Sequence, residues 1–447
     1  MGKPRSVYTC SSCSYQTPKW MGRCPECQTW SSFVEDSAGG RPGAPAKAQP
    51  LARLRRDGGE VRLRIGIGEL DRCLGGGLVS GSLTLLGGDP GVGKSTLLLM
   101  ALEAFSRRGL TTLYVSAEES AQQLRLRADR LGIQGDELYL LADTDLDKAM
   151  RVAEELEPRV LVLDSVQTLH SGGEGVPGSI TQVRQVASRA MALAKGKDIP
   201  TLLVGHVTKQ GGLAGPKTLE HLVDTVVYFE CEGRTQLRVL RATKNRFGST
   251  GELGFFEMTD LGLAEVPDAS ARLLAERRPG ASGTTVMAAL EGSRAVLAEV
   301  QALVGPATPA TPSRRVVGMD RARLAMVLAV LGKCGLKVHD RDVFLSAAGG
   351  IRLTEPATDL AVAVAVASSL MDRAVDHHTV VFGEVGLSGE LRSTAQMGAR
   401  MKEAHRHGFR RVIAPSAAAQ HAPPGLNVVL AQSLPEALAI LGLRDSE

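Results

Sequence analysis

Aromatic side chains are scarce in this chain. Only 4% of its 447 residues are Phe, Trp or Tyr, so aliphatic residues must form most of any core. No run of about 18 apolar residues occurs, and we expect no membrane span. The first residues lead into cysteines rather than an apolar signal segment, which predicts a cytoplasmic protein. The net charge of +4 is too small to indicate a class of partner.

Composition divides the chain into segments, and a length of 447 residues predicts two or three domains. Residues 36–50 are rich in Gly, Ala and Pro, and residues 271–282 end in an Arg, Pro and Gly run. Both are predicted linkers. Over residues 51–270, apolar runs alternate with helix-like stretches, the pattern of an α/β domain with a parallel sheet. The remaining predicted domains are residues 1–35 and 283–447.

Four of the seven cysteines form two C-x-x-C pairs near the N-terminus, Cys10 with Cys13 and Cys24 with Cys27. Each pair can aim two thiolates at one ion, and two pairs make a closed tetrahedral Zn²⁺ site, which is structural because no position is open for water. The metal would supply much of the folding energy of so small a module. Redox-active pairs are the alternative, but two pairs so close together favour zinc.

Both tryptophans of the chain, Trp20 and Trp30, lie in the same module, together with Phe33. Such rings can be exposed groups that stack on nucleic-acid bases. More often they pack around the metal-binding turns, and we expect that arrangement here.

The strongest motif is a phosphate-binding loop of the form G-x-x-x-x-G-K-[ST], placed between two apolar runs. It reads Gly88-Asp89-Pro90-Gly91-Val92-Gly93-Lys94-Ser95 and is followed by Thr96. Glycines let backbone N–H groups turn toward a phosphate, and the next helix directs its positive end at the same anion. We predict that these residues bind ATP, with Lys94 at the outer phosphates and Ser95 on Mg²⁺.

Three further strands are predicted to end at catalytic residues. Asp164 follows an apolar run and is expected to hold the Mg²⁺ shell. Glu118 and Glu119 follow another run, and either carboxylate could activate water; we favour Glu118, with an exposed acidic turn as the alternative. His206 ends a third run and is predicted to sense the γ-phosphate.

Two glycine-rich loops follow the strands that end at Asp164 and His206. Lys209, Lys217 and Arg184 belong to these loops or lie just beyond them, and could follow a DNA phosphate backbone. Solvated loop charge is an equal alternative on these residues alone.

The order of the phosphate loop, Glu118, Asp164 and His206 resembles that of RecA-like ATPases. The glycine-rich run over residues 74–81 is similar to the replicative-helicase and clock-ATPase branch of that superfamily. Lys244-Asn245-Arg246-Phe247-Gly248 matches the signature pentapeptide of the bacterial RadA (Sms) repair family. With the four-cysteine module in front, the chain resembles that family from end to end.

The resemblance to the RadA family implies a DNA-dependent ATPase that stimulates strand exchange and branch migration in homologous-recombination repair. It implies a hexameric ring with ATP between subunits, single-stranded and branched DNA as substrates, and a RecA recombinase filament as partner. Lys244 and Arg246 would act in trans on a neighbour's nucleotide or couple it to DNA. A Lys and an Arg two apart on a strand do face the same way, although an ordinary basic edge strand is the alternative.

Residues 283–447 resemble the α+β proteolytic domain of Lon, whose chemistry is a serine–lysine dyad. The serine position reads Ala357, and the lysine position falls at or near Gly398. An alanine has no nucleophile and a glycine no amine, so we predict a catalytically inactive domain used in assembly. Lys402, one helical turn further on, is a predicted surface charge. An ATP-dependent Lon-like protease or peptide-handling machine is the alternative function.

Overall fold

The computed structural model describes residues 7–10, 15–17, 19–30, 32–36, 62–171, 178–206, 219–231, 237–307 and 312–444. The chain divides into two compact units, Met1–Gly59 and Glu60–Glu447. None of the helices in the described ranges is both long enough and apolar enough to cross a membrane.

The first unit contains a three-stranded antiparallel sheet. Its strands are β1 (Val7–Cys10), β2 (Gln16–Thr17) and β3 (Phe33–Asp36), in the order β2-β1-β3. Cys10, Cys24 and Phe33 form its small buried cluster. So small a core stabilises a fold only with help, which the predicted metal would supply.

The second unit begins with an α/β region. In chain order its elements are β4 (Arg62–Leu63), α1 (Gly68–Cys73), β5 (Leu78–Val79), β6 (Leu83–Gly88), α2 (Lys94–Ser106), β7 (Thr112–Ser116), α3 (Ala121–Arg130), β8 (Leu138–Ala142), α4 (Leu146–Leu156), β9 (Val160–Asp164), α5 (Ile180–Lys197), β10 (Thr201–His206), β11 (Thr225–Cys231), β12 (Leu237–Asn245), β13 (Leu253–Thr259), β14 (Gly262–Glu265) and α6 (Ala269–Leu274).

Nine of these strands form one sheet in the order β14-β13-β12-β11-β6-β10-β9-β7-β8. The six strands from β11 to β8 run parallel, which confirms the predicted α/β core, and β12 to β14 extend it antiparallel. The register aligns His206 with Gly88 and Ser116 with Asp164. The predicted catalytic segments therefore meet at the carboxyl edge of the parallel strands, where such sheets bind ligands.

Two apolar cores cover the two faces of this sheet. β6, β7 and β9 are buried along their whole length, as expected for parallel strands between helical layers. Leu97 and Phe105 of α2 pack on one face, and Ala149 of α4 and Val186 of α5 pack on the other. These aliphatic layers fix the carboxyl edge that carries the candidate site.

The C-terminal region has its own sheet. Its elements are β15 (Thr284–Glu291), β16 (Arg294–Pro306), β17 (Arg314–Val317), α7 (Arg321–Lys333), β18 (Arg341–Ala347), α8 (Thr358–Met371), β19 (Thr379–Val381), β20 (Glu384–Val385), β21 (Leu391–Arg392), α9 (Met397–Arg406), β22 (Arg411–Pro415), β23 (Asn427–Ala431) and α10 (Leu434–Ile440). Seven strands form a mixed sheet in the order β17-β18-β16-β15-β19-β22-β23. The Ala- and Val-rich helix α8 is buried in its core.

The two sheets of the second unit share a core. Phe255 of β13 and Leu273 of α6 belong to the same buried cluster as Val296 of β16. An ion pair of 3.2 Å joins Arg294 Nη1 of β16 to Glu69 Oε2 of α1. This shared core joins the α/β region to the C-terminal region.

One predicted linker lies almost entirely outside the described residues, and the other begins inside a helix. Residues 36–50 lie outside the described part of the chain except for Asp36, the last residue of β3. Residues 271–282 begin inside α6, which Asp268 caps and whose Leu273 is buried. A helix therefore spans the boundary predicted at residue 270, because its apolar face completes the shared core. The domain limits themselves stay predictions.

Candidate nucleotide site

The phosphate-binding loop joins β6 to α2 at the carboxyl edge of the sheet. At Gly93, φ is +112° and a Cβ would lie 2.9 Å from Met258 Cε; at Gly88 a Cβ would lie 2.2 Å from the carbonyl oxygen of Phe229. A side chain at Gly88 would clash with the backbone, and the positive φ at Gly93 strains any residue other than glycine. Within the described structure, no side chain caps the start of α2. Its first N–H groups can therefore face a bound phosphate.

Lys94 begins α2 and is buried at the mouth of this loop. Its Nζ donates to the carbonyl oxygens of Gly88 at 2.8 Å and Asp89 at 3.0 Å. Burial lowers the pKa of the ammonium, while the carboxylates of Asp164 and Glu118 act in the opposite direction. This placement fits a cation that binds the outer phosphates of ATP.

Ser95 and Asp164 come together as the sequence predicts for a Mg²⁺ site. Ser95 Oγ donates to Asp164 Oδ2 at 2.7 Å. The hydroxyl of Tyr114, from the fully buried strand β7, donates to the same oxygen. A hydroxyl and an oriented carboxylate beside Lys94 are ligands that suit a hard cation. These residues therefore fit Mg²⁺ bound with ATP.

Glu118 lies between two strand ends. Its Oε1 accepts a hydrogen bond from Ser165 Oγ, which directly follows Asp164, and lies 3.0 Å from His206 Nε2. The His206 hydrogen bond is the main cause that lowers the pKa of Glu118 to about 2, and the Ser165 hydrogen bond contributes. Glu118 is therefore ionised at neutral pH, next to the residue predicted to sense the γ-phosphate.

The neighbouring Glu119 has a different environment. It pairs with Arg127 of α3, and its backbone N–H donates to Ser116 Oγ at 2.9 Å. Its carboxylate is thus engaged by a helix on the flank of the sheet, whereas Glu118 contacts the strand ends of β9 and β10. Of the two carboxylates, Glu118 is therefore the one that lies among the strand ends of the site.

Lys244 and Arg246 lie at the opposite edge of the sheet from the phosphate loop. Lys244 Nζ donates to the carbonyl oxygens of Glu220 and Val223, and Arg246 Nη1 pairs with Asp224 Oδ1 at 3.0 Å. The N–H of Asp224 donates to the carbonyl oxygen of Leu83, at the amino end of β6. That strand places Leu83 about 16 Å from Gly88. Within one chain, these cations are therefore remote from Lys94.

Sequence reasoning predicted the hydroxyl of Ser95 but missed those of Tyr114 and Ser165. Tyr114 lies inside an apolar strand, and a buried tyrosine needs a hydrogen-bond partner, which was the available signal. Ser165 follows Asp164 directly, but its contact with Glu118 depends on the pairing of β7 with β9. Arg184 is exposed on α5, and the other two loop cations, Lys209 and Lys217, lie outside the described residues.

In the N-terminal unit, three of the four predicted zinc ligands converge. The sulfurs of Cys10, Cys24 and Cys27 lie within 4.8 Å of one another, with Cys10 and Cys27 at 3.6 Å. A tetrahedral zinc with Zn–S bonds of about 2.3 Å holds its sulfurs about 3.8 Å apart, so the three thiolates fit Zn²⁺. Cys13 lies outside the described residues.

The expectation that the aromatic rings pack around the metal turns is right for one ring and wrong for two. Phe33 is 6% exposed and packs with Cys10 and Cys24. Trp20 and Trp30 are 56% and 70% exposed. The small core is already filled by the cysteines and Phe33, which leaves the two indoles at the surface.

The two dyad positions of the C-terminal region hold no reactive group. Ala357 is buried at the start of α8, and Gly398 lies in α9 beside His421. Arg400 of α9 is fully buried and pairs with Glu355, two residues before Ala357. An ion pair thus joins the two segments that carry the dyad positions. Lys402 is exposed, as predicted for a surface charge.

The fold and this site define a P-loop ATPase of the RecA-like class, joined to a zinc module and a Lon-like domain. Residues 66–212 match the model of an AAA domain, residues 8–35 that of a rubredoxin metal binding domain, and residues 310–418 that of subunit ChlI of Mg-chelatase. ATP, Mg²⁺ and Zn²⁺ are the cofactors that these domains carry.

Three relatives carry the name DNA repair protein RadA. That of Halalkalibacterium halodurans is 44% identical, covering 93% of each chain; that of Bacillus subtilis is 43% identical, covering 98% of this chain and 99% of its own. That of Streptococcus pyogenes serotype M6 is 46% identical, covering 96% and 97%. The chain therefore belongs to the RadA family of DNA repair proteins, as its pentapeptide and cysteine module predicted.

Among solved structures, the chain is similar to a KaiC-like protein from Pyrococcus horikoshii. The two are 21% identical with a TM-score of 0.40, and the match covers 46% of this chain and 99% of that one.

Proposed function

We propose that this chain is a DNA-dependent ATPase that moves on single-stranded DNA and processes branched recombination intermediates. In this proposal, it stimulates strand exchange and branch migration during homologous-recombination repair, beside a recombinase filament. The observation that carries the proposal is the assembled site: Lys94 in the phosphate loop, Ser95 on Asp164, and Glu118 between two strand ends. Membership of the RadA family directs the hydrolysis toward DNA.

The decisive measurement is the ATPase rate with and without single-stranded DNA. We expect DNA to accelerate hydrolysis. We expect Lys94→Ala to abolish hydrolysis, because it removes the cation that contacts the outer phosphates while leaving the fold intact. Lys402→Ala is the matched control, since it removes an exposed lysine outside the site. Normal turnover by a folded Lys94→Ala protein would exclude the nucleotide site, and equal rates with and without DNA would exclude DNA dependence.

We further propose that the protein works as a hexameric ring in which Lys244 and Arg246 act on the nucleotide of a neighbouring subunit. Their position supports this, because the length of the parallel strands separates them from Lys94 of their own chain. In the isolated chain, Asp224 and the carbonyl groups of Glu220 and Val223 hold the two cations. An arginine supplied in trans stabilises transition-state charge in related phosphoryl transfers.

Mixing two inactive variants tests the arrangement in trans. Arg246→Ala should bind ATP through Lys94 but hydrolyse it poorly. Its mixture with Lys94→Ala should regain part of the activity, because some interfaces then contain both residues intact. Subunit exchange is first confirmed with differently labelled chains. If exchange occurs and the mixture stays as inactive as its parts, the cations act within one chain.

We also propose that the C-terminal domain has no peptidase activity. Ala357 and Gly398 supply neither nucleophile nor base, and the Arg400–Glu355 ion pair joins their segments. Purified protein should leave an unfolded substrate intact over a long incubation with ATP. Cleavage that survives Lys94→Ala would instead support the Lon-like alternative.

A further inference from the structure

Trp20 and Trp30 form an exposed aromatic pair in the N-terminal unit. Both rings approach Gly22: the point where its Cβ would lie is 3.8 Å from Trp30 Cζ3 and 3.9 Å from Trp20 Cη2. The indoles are 56% and 70% exposed, and they are the two tryptophans of the whole chain. A single exposed apolar side chain is ordinary, but two indoles around one glycine make a contiguous patch, which marks a binding surface.

A cation is built into this patch. The guanidinium carbon of Arg23 lies 5.7 Å from the centre of the Trp30 ring. Its position is fixed, because Arg23 Nε donates to the carbonyl oxygen of Gln28 at 3.0 Å and Nη2 donates to Gln28 Oε1 at 2.8 Å. The surface therefore combines flat aromatic faces with positive charge.

That combination selects a ligand with flat rings on a polyanionic backbone. Unpaired bases stack on aromatic side chains, while the neighbouring phosphates attract the cation. An apolar protein surface would bury the indoles equally well but would gain nothing from Arg23. We propose that Trp20, Trp30 and Arg23 form a stacking surface for the unpaired bases of single-stranded DNA. This inference rests on the proposed function, since it names a second DNA contact outside the ATPase core.

Intrinsic fluorescence tests the proposal directly, because all tryptophan emission of the full chain comes from this pair. An unlabelled thymidine oligonucleotide is titrated into the protein with selective excitation of tryptophan, and binding of the same oligonucleotide, dye-labelled, is followed by anisotropy. We expect the emission to be quenched with the same midpoint as the anisotropy. Anisotropy that rises while the emission stays constant would overturn the inference and leave the proposed function intact.

The other outcomes are also distinct. Absence of any anisotropy change would overturn both the inference and DNA binding by the chain. Emission that responds to added recombinase but not to DNA would assign the pair to a protein interface and overturn the inference.

Substitutions provide an independent measure. Trp30→Ala should weaken binding of the oligonucleotide roughly tenfold, the effect of losing one stacked base. Tyr139→Ala is the matched control: it removes an aromatic ring that is 47% exposed on β8 of the second unit, and it should leave the affinity unchanged. Zinc content is measured for each variant to show that the module is intact. Equal affinity of a zinc-loaded Trp30→Ala protein and the control would contradict the proposal.

Discussion

Replacement of Arg400 by methionine should strongly destabilise the C-terminal domain. Arg400 has the largest fully buried side chain among the described residues. Its guanidinium donates to both oxygens of Glu355 and to the carbonyl oxygens of Ala288 at 2.6 Å and Ala395 at 2.9 Å. Methionine keeps the apolar part of the side chain but is shorter than arginine and removes every donor.

The loss in the free energy of unfolding follows from the unpaired charge that Glu355 then carries. Removing one partner of a buried ion pair costs about 3–5 kcal/mol, because the other charge remains uncompensated. The Glu355 side chain is 20% exposed, so water reaches it and the cost falls in the lower half of that range. We expect a loss of about 3–4 kcal/mol, which lowers the Tm of the transition that unfolds the second unit, Glu60–Glu447, by about 4 °C.

Differential scanning calorimetry of the full chain measures this shift. Arg406→Met is the matched control, since it makes the same substitution on the same helix at a side chain that is 52% exposed. The control should cost less than about 1 kcal/mol. Adding Glu355→Leu to Arg400→Met should cost less than the sum of the single changes, because no unpaired charge remains. Equal losses for Arg400→Met and Arg406→Met would refute the argument.

Three further predictions concern the nucleotide site and the zinc site. Glu118→Gln should bind ATP but hydrolyse it at least about 100-fold more slowly, while Glu119→Gln stays near the normal rate; the reverse order in a steady-state assay would identify Glu119 as the activating carboxylate. Tyr114→Phe removes a donor to Asp164, the carboxylate predicted to bind Mg²⁺, and should raise the Mg²⁺ concentration for half-maximal hydrolysis roughly tenfold. Tyr228→Phe also loses a hydrogen bond to a carboxylate, and an equal shift there would contradict a specific role for Tyr114. Cys24→Ser should remove zinc, measured by metal analysis, without moving the thermal transition of the ATPase core; full zinc occupancy would exclude the site.

Local spacing was enough to predict the chemistry of short segments. The phosphate loop, from Gly88 to Ser95, and the cysteine pairs position their ligands through the turn in which they lie, so the residue types and their spacing predict the function. The prediction of an inactive protease-like domain likewise needed only the residue type at Ala357, since alanine supplies no nucleophile in any geometry. The parallel core followed from alternating apolar runs, because strands between two helical layers must be apolar on both faces.

Tertiary structure decided which distant residues meet. The hydroxyl of Tyr114 reaches Asp164 only because β7 pairs with β9, and Arg400 reaches Glu355 only when α9 packs beside the start of α8. The antiparallel direction of β12 likewise placed Arg246 at the amino ends of the parallel strands, opposite the phosphate loop. Trp30 is exposed because the small core of the zinc module, formed by Cys10, Cys24 and Phe33, does not bury it. Sequence spacing fixes what lies within one turn or strand, whereas contacts between elements depend on sheet order and packing, which the whole chain determines together.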